Sequence, residues 1–133
     1  MKELLGKVIK SARVNDDQSV LVFNTDDGDM VYQTEAECCS ETWFSDILNL
    51  SNVIGNKITN VRWLELDDAG ENNRSRQQYD RVYGYALDSE KGTCEVIFRN
   101  SSNSYYGGSA GLVTLPIPKS MELTIINTDD WKS

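Results

Sequence analysis

The sequence predicts an α+β fold: two pseudo-repeated antiparallel β-units packed on one main helix over about residues 41–54. Three observations carry that expectation. Trp43, Phe44, Ile47 and Leu48 recur at helical spacing, and Val53 or Ile54 extends the same apolar face. Residues 5–14 align without gaps on residues 54–63, sharing the pattern apolar-Gly-x-x-Ile-x-x-apolar-Arg-apolar. Each copy then reaches an acidic pair, Asp16-Asp17 or Asp67-Asp68, followed by a hairpin pattern.

In order, residues 4–14 read as a lead-in and a strand, and residues 19–23 are β-branched and aromatic enough for a second. Asp27-Gly28 between two apolar runs is a strong hairpin signal, since glycine adopts positive φ freely, and residues 29–34 return. The tetrad Asp26-Asp27-Gly28-Asp29 lacks the ligand spacing and distal Glu of a calcium loop. For the helix, Ser40 serves as N-cap, Glu41 and Thr42 fill the first turn, and Gly55 marks the exit. Strands over 79–87 and 93–99 flank Lys91-Gly92, with Gly84 at a bulge or close backbone approach. The insertion at 67–78 has no apolar periodicity. Pro116 and Pro118 keep 112–118 extended and out of a central strand, and 121–125 alternates as a last strand. The reading is one domain over 1–133, with pseudo-repeat halves 4–54 and 54–126.

Composition narrows the function. Hydrophobic residues at 39% and charged residues at 26% describe a folded soluble chain, with no apolar run near the ~18 residues of a membrane span. No signal sequence is visible, and three cysteines, two of them adjacent, do not form a disulfide framework, so the expected location is cytoplasmic. The net charge of −8 is concentrated: residues 14–56 hold nine acids and no Lys or Arg. Such a field repels nucleic acid and anionic membranes and attracts basic partners.

The chain has no histidine, which removes Ser-His-Asp and Cys-His catalysis and His-ligated metals. Cys38-Cys39 at a helix start would have lowered thiol pKa values, but Glu35, Glu37 and Glu41 oppose a thiolate, and Cys94 does not complete a zinc site. Buried structural thiols are the expectation, with no metal and no cofactor. The loop 99–111 is polar, aromatic and glycine-rich at once, without either phosphate-loop spacing. Its Arg99, Asn100, Asn103, Tyr105, Tyr106, Gly107 and Gly108 are the candidate small-ligand residues, through backbone N–H groups, amides and ring stacking. Asp26, Asp27, Asp29 and Glu35 are the candidate partner-binding acids. Arg62, Arg74, Arg76, Arg81 and Arg99 are expected in ion pairs, with a local anion site as the alternative. Glu65, Asp67, Asp68 and Glu71 are expected as solvated acids, with a carboxylate pair for hydrolysis or a Mg²⁺ site as the alternatives.

Cys38-Cys39-Ser40-Glu41-Thr42-Trp43-Phe44 and Arg99-Asn100-Ser101-Ser102-Asn103-Ser104-Tyr105-Tyr106-Gly107-Gly108 together resemble the paired signatures of a family of small uncharacterised bacterial and phage proteins. The resemblance covers nearly the whole chain. It implies a small cytosolic protein, phage- or prophage-borne, in a setting where acidic proteins that block host defence enzymes are common. It transfers no catalytic or binding residue.

Three functions follow in order of expectation. The first is a non-catalytic acidic protein that inhibits a nucleic-acid-handling or defence partner through a basic surface on that partner. The second is a small-ligand or nucleotide binder with its site at 99–111. The third is a carboxylate-based hydrolase.

Overall fold

The computed structural model describes residues 1–36, 40–66, 79–102, 108–113 and 117–132. Among these residues ten strands form two five-stranded antiparallel sheets. They are β1 (Ile9–Asn15), β2 (Val20–Thr25), β3 (Gly28–Ala36), β4 (Ser40–Leu48), β5 (Asn60–Glu65), β6 (Tyr79–Ser89), β7 (Gly92–Ser102), β8 (Gly108–Val113), β9 (Leu123–Ile125) and β10 (Asp130–Lys132). One sheet runs β8-β3-β2-β1-β9, the other β10-β4-β7-β6-β5. Two short 3-10 turns, Lys2–Leu4 and Leu50–Asn52, are the only helical segments among the described residues. Among the described residues no helix is long and apolar enough to cross a membrane.

The expected α+β class is therefore corrected to an all-β one, and the main helix at 41–54 is β4 followed by a turn. The physical reason is a bulge. The register against β7 slips between Phe44 and Asp46, so the extra residue Ser45 interrupts the two-residue alternation. Phe44 and Ile47 both end up fully buried in the core, three positions apart, which imitates one face of a helix. Thr42, Trp43, Phe44 and Ile47 are β-branched or aromatic, as a strand flanked by others favours. Gly55, read as a helix exit, has φ +74 and donates its N–H to Ile9 O at 2.9 Å.

The turns follow from local chemistry. Gly28 sits at φ +104 and Gly92 at φ +139, where other residues are strained. Gly84 is required for a different reason: a Cβ there would stand 3.0 Å from Val96 O and 3.6 Å from Leu64 Cδ1.

The sheets share one apolar core. Leu21, Phe23 and Tyr32 from one sheet and Phe44, Ile47, Leu87, Val96 and Phe98 from the other are all fully buried within it. Each such side chain stabilises the fold by about 1.5–3 kcal/mol of transfer free energy. Edge-to-face pairs add specificity, Phe23–Tyr32 at 6.1 Å and Phe44–Phe98 at 6.4 Å. At one end Thr34 Oγ1 donates to Thr42 O at 2.9 Å and Phe44 N–H to Gln18 O at 2.8 Å, tying the sheets together.

Candidate functional site: an aromatic sheet edge

Among the described residues β5 is an edge strand paired to β6, with Trp63 opposite Tyr85, Glu65 opposite Tyr83 and Val61 opposite Leu87. β6 in turn sets Tyr83 opposite Phe98 on β7. Alternation therefore puts Val61, Trp63, Glu65, Tyr83, Tyr85, Leu87 and Phe98 on one face. Burial falls off toward the edge: Phe98 is fully buried, Tyr83 and Tyr85 are half-buried, and Trp63 is 48% exposed.

The rings form a connected platform. Trp63 lies 5.7 Å from Tyr83, 5.1 Å from Tyr85 and 6.0 Å from Phe98, and Tyr83 and Phe98 are 5.4 Å apart. Cross-strand aromatic pairs of this kind hold an exposed indole in place without burying it. Burial raises the Tyr85 phenol above its ordinary range, and the carboxylate of Glu3 pushes it the same way. Burial raises Tyr32 further, and its hydroxyl donates to Glu3 Oε1 at 3.4 Å. The Tyr85 phenol stays protonated near neutral pH, and Glu65 on the same face and Glu3 near Tyr85 place negative charge beside the rings. Such a surface favours cations, because ring quadrupole and carboxylates attract the same charge.

The residues singled out from sequence fall elsewhere. Asp26 and Asp27 form the β2–β3 turn and Asp29 is the second residue of β3, and chain partners already hold all three. Asp26 Oδ1 accepts the Val8 N–H at 3.1 Å, Asp27 pairs with Lys7, and Asp29 accepts from Arg13 at 3.2 Å and Asn24 at 2.8 Å. Glu35 is exposed near the far end of β3, opposite Ser109, roughly 20 Å along the strand at ~3.3 Å per residue. The structure thus gathers the three aspartates and leaves Glu35 apart.

Arg99 and Asn100 are consecutive on β7 and point to opposite faces. Asn100 is fully buried, and its Nδ2 donates to Thr42 Oγ1 at 2.9 Å while its Oδ1 meets no donor among the described residues. Gly108 opens β8 opposite Ala36. Asn103, Tyr105, Tyr106 and Gly107 lie outside the described residues, as do Cys38, Cys39, Asp67, Asp68, Glu71, Arg74 and Arg76. Arg62 pairs bidentately with Asp88, at 2.8 and 3.0 Å, and Arg81 sits opposite Asn100. Cys94 is buried, and desolvation, reinforced by Glu95 and Asp129, pushes its thiol up to about 12, so it is no nucleophile at neutral pH. Among the described residues no three His, Cys, Asp or Glu side chains come together as metal ligands.

Sequence reasoning missed the platform. Trp63 entered only as part of the repeat, and Tyr83, Tyr85 and Phe98 only as strand formers. Their convergence depends on the β5–β6 register, which joins segments on either side of the 67–78 insertion. An aromatic-rich strand pair was the available signal.

The Asp88 pair also sets a pH dependence. Hydrogen bonds from Arg62, then Thr93, hold the Asp88 carboxyl below its ordinary range, and bonds from Ser19 do the same for Asp17. Unfolding returns both to about 3.9, so between the folded and unfolded values the unfolded chain binds more protons and stability rises with pH. Thermal melts are expected to be flat above about pH 5 and to fall as pH drops below ~4, with Asp88→Asn showing a shallower fall than the native chain.

A family profile described as a domain of unknown function, DUF7448, matches residues 2–112. The chain belongs to this family. The DUF7448 match takes in the aromatic edge and runs into β8, ending before β9 and β10. Uncharacterized protein L278 of Acanthamoeba polyphaga mimivirus is 30% identical over 105 residues, covering 75% of this chain and 82% of that protein. No solved structure matches significantly. Of the motif resemblance, these comparisons support the coarser part, a family without an assigned function and with a viral relative.

Proposed function

We propose that the chain is a non-catalytic binding protein that engages a basic protein partner, with an arginine or lysine of that partner stacking on Trp63. The observation that carries this reading is the platform itself: a 48% exposed indole braced by Tyr83, Tyr85 and Phe98. A large aromatic on a rigid strand is the kind of residue that dominates binding energy at interfaces. The net charge of −8 steers a basic partner inward, and Glu65 beside the ring favours a cation at close range. The hairpin aspartates are weaker anchors, because Lys7 and Arg13 already offset Asp27 and Asp29. A viral setting, with a partner among host nucleic-acid-handling or defence proteins, accords with the mimivirus relative and with the bacterial and phage resemblance.

Titration with a tetra-arginine peptide tests the reading. Trp63→Ala is expected to weaken binding about tenfold or more, the range of a cation–π anchor at an interface hot spot. Reversal of Asp26, Asp27 and Asp29 to lysine is expected to cost less, through steering, and that smaller cost shrinks further in high salt. The opposite order, with charge reversal abolishing binding and Trp63→Ala leaving it intact, returns the contact to the acidic hairpin.

A further inference from the structure

The two sheets are built from matching parts joined in an unexpected order. In the first half β1, β2 and β3 are neighbours, and in the second half β5, β6 and β7 are. The strand that follows each trio leaves it. β4 pairs with β7, and β8 pairs with β3.

The matches extend to single hydrogen bonds. Gly6 and Gly55, aligned in the repeated segment, both have positive φ, +82 and +74. Gly6 N–H donates to Ile58 O at 2.8 Å, and Gly55 N–H donates to Ile9 O at 2.9 Å. Ile9 and Ile58 are themselves aligned, so the two copies exchange the same bond reciprocally, as parts related by a two-fold axis do. In the first hairpin turn Thr25 Oγ1 donates to Gly28 O at 2.7 Å and accepts from Asp27 N–H at 3.1 Å. In the second, Ser89 Oγ accepts from Lys91 N–H at 3.2 Å and lies 3.5 Å from Gly92 O, its own proton going to Asn52 O. Arg13 and Arg62, also aligned, each reach across to an aspartate next to that turn, Asp29 on the third strand or Asp88 on the second. The acid and its polar neighbour have traded places, Asn24 with Asp29 in one copy and Asp88 with Thr93 in the other.

We infer that the chain is a duplicated four-strand unit whose copies have exchanged their fourth strands, so that each half is the obligate binding partner of the other. Neither sheet is complete within one half: the first takes β8 and β9 from the second half, and the second takes β4 from the first half. The covalent link through residues 49–59 sets the local concentration of the halves, and the paired strands and shared core hold them together. The exchange also accounts for the reciprocal glycine bonds, which lie where the two copies meet.

A protease site inserted between Gly55 and Asn56 of the full chain, cut after folding, tests this. The cut protein is expected to elute as one species of unchanged mass and to unfold in a single transition that has become concentration-dependent. Elution of separate fragments, or two independent melting transitions, overturns the inference. An insertion there can itself prevent folding, so substitutions in the uncut chain supply a second measurement. Asp29→Thr is expected to lower the melting temperature by about 2 °C, the size of a partly exposed ion pair in a chain of this length. Asn24→Asp added to Asp29→Thr is expected to restore it, because Arg13 then meets its acid where Arg62 does. A double variant no more stable than Asp29→Thr alone contradicts the equivalence of the two copies.

Discussion

Phe98→Ala is expected to destabilise the protein by about 3–5 kcal/mol, the cost of deleting a buried aromatic ring and leaving a cavity. Phe98 is fully buried on a central strand and touches four other rings: Phe44 at 6.4 Å, Tyr83 at 5.4 Å, Tyr85 at 6.4 Å and Trp63 at 6.0 Å. No small shift of one neighbour refills that space, because the neighbours come from three different strands. Against a total stability of about 5–15 kcal/mol this is a large fraction. In thermal denaturation it corresponds to a fall of roughly 10–20 °C. Phe98→Leu keeps most of the volume and is expected to cost less than half as much. A loss under ~1 kcal/mol for Phe98→Ala would mean that the ring is not the keystone of this core.

Ser45→Lys is the second large effect, and it bears on the corrected element. On a helix over 41–54, Ser45 would flank the apolar face of Trp43, Phe44, Ile47 and Leu48 without entering it, and lysine there would cost little. On the bulged strand Ser45 is buried, with its hydroxyl 2.9 Å from Asp46 Oδ2 and 3.5 Å from Ile97 O. A lysine must bury its charge or force the bulge open, at a cost of about 3 kcal/mol or more. Denaturant unfolding measures the difference, and a cost within ~0.5 kcal/mol would favour the helix.

The parts of the fold that sequence reveals are those whose cause is local. Asp27-Gly28 and Lys91-Gly92 announce their turns because a positive φ is a property of one residue. β4 hid because a bulge is a property of a strand pair: Ser45 becomes the extra residue only against the register of β7. β8 hid for a related reason, since residues 108–113 contain two glycines and gain their strand character by pairing with β3. The site divides in the same way. The acidic hairpin is plain in the sequence, but Lys7 and Arg13 reach its acids only after β1 folds back on β2. Trp63 gains its meaning when Tyr83 and Tyr85 come to lie beside it. A repeat in the sequence pointed to related halves, whereas the partner strand each half takes is legible only in three dimensions.

Backbone amide chemical-shift mapping of the isotopically labelled native chain, titrated with the tetra-arginine peptide, tests the central claim most directly. The account predicts saturable shifts that centre on Trp63, including its indole N–H, and extend to Glu65, Tyr83 and Tyr85, with smaller changes elsewhere. Shifts centred on Asp26, Asp27 and Asp29, with Trp63 and its neighbours unmoved, would contradict it.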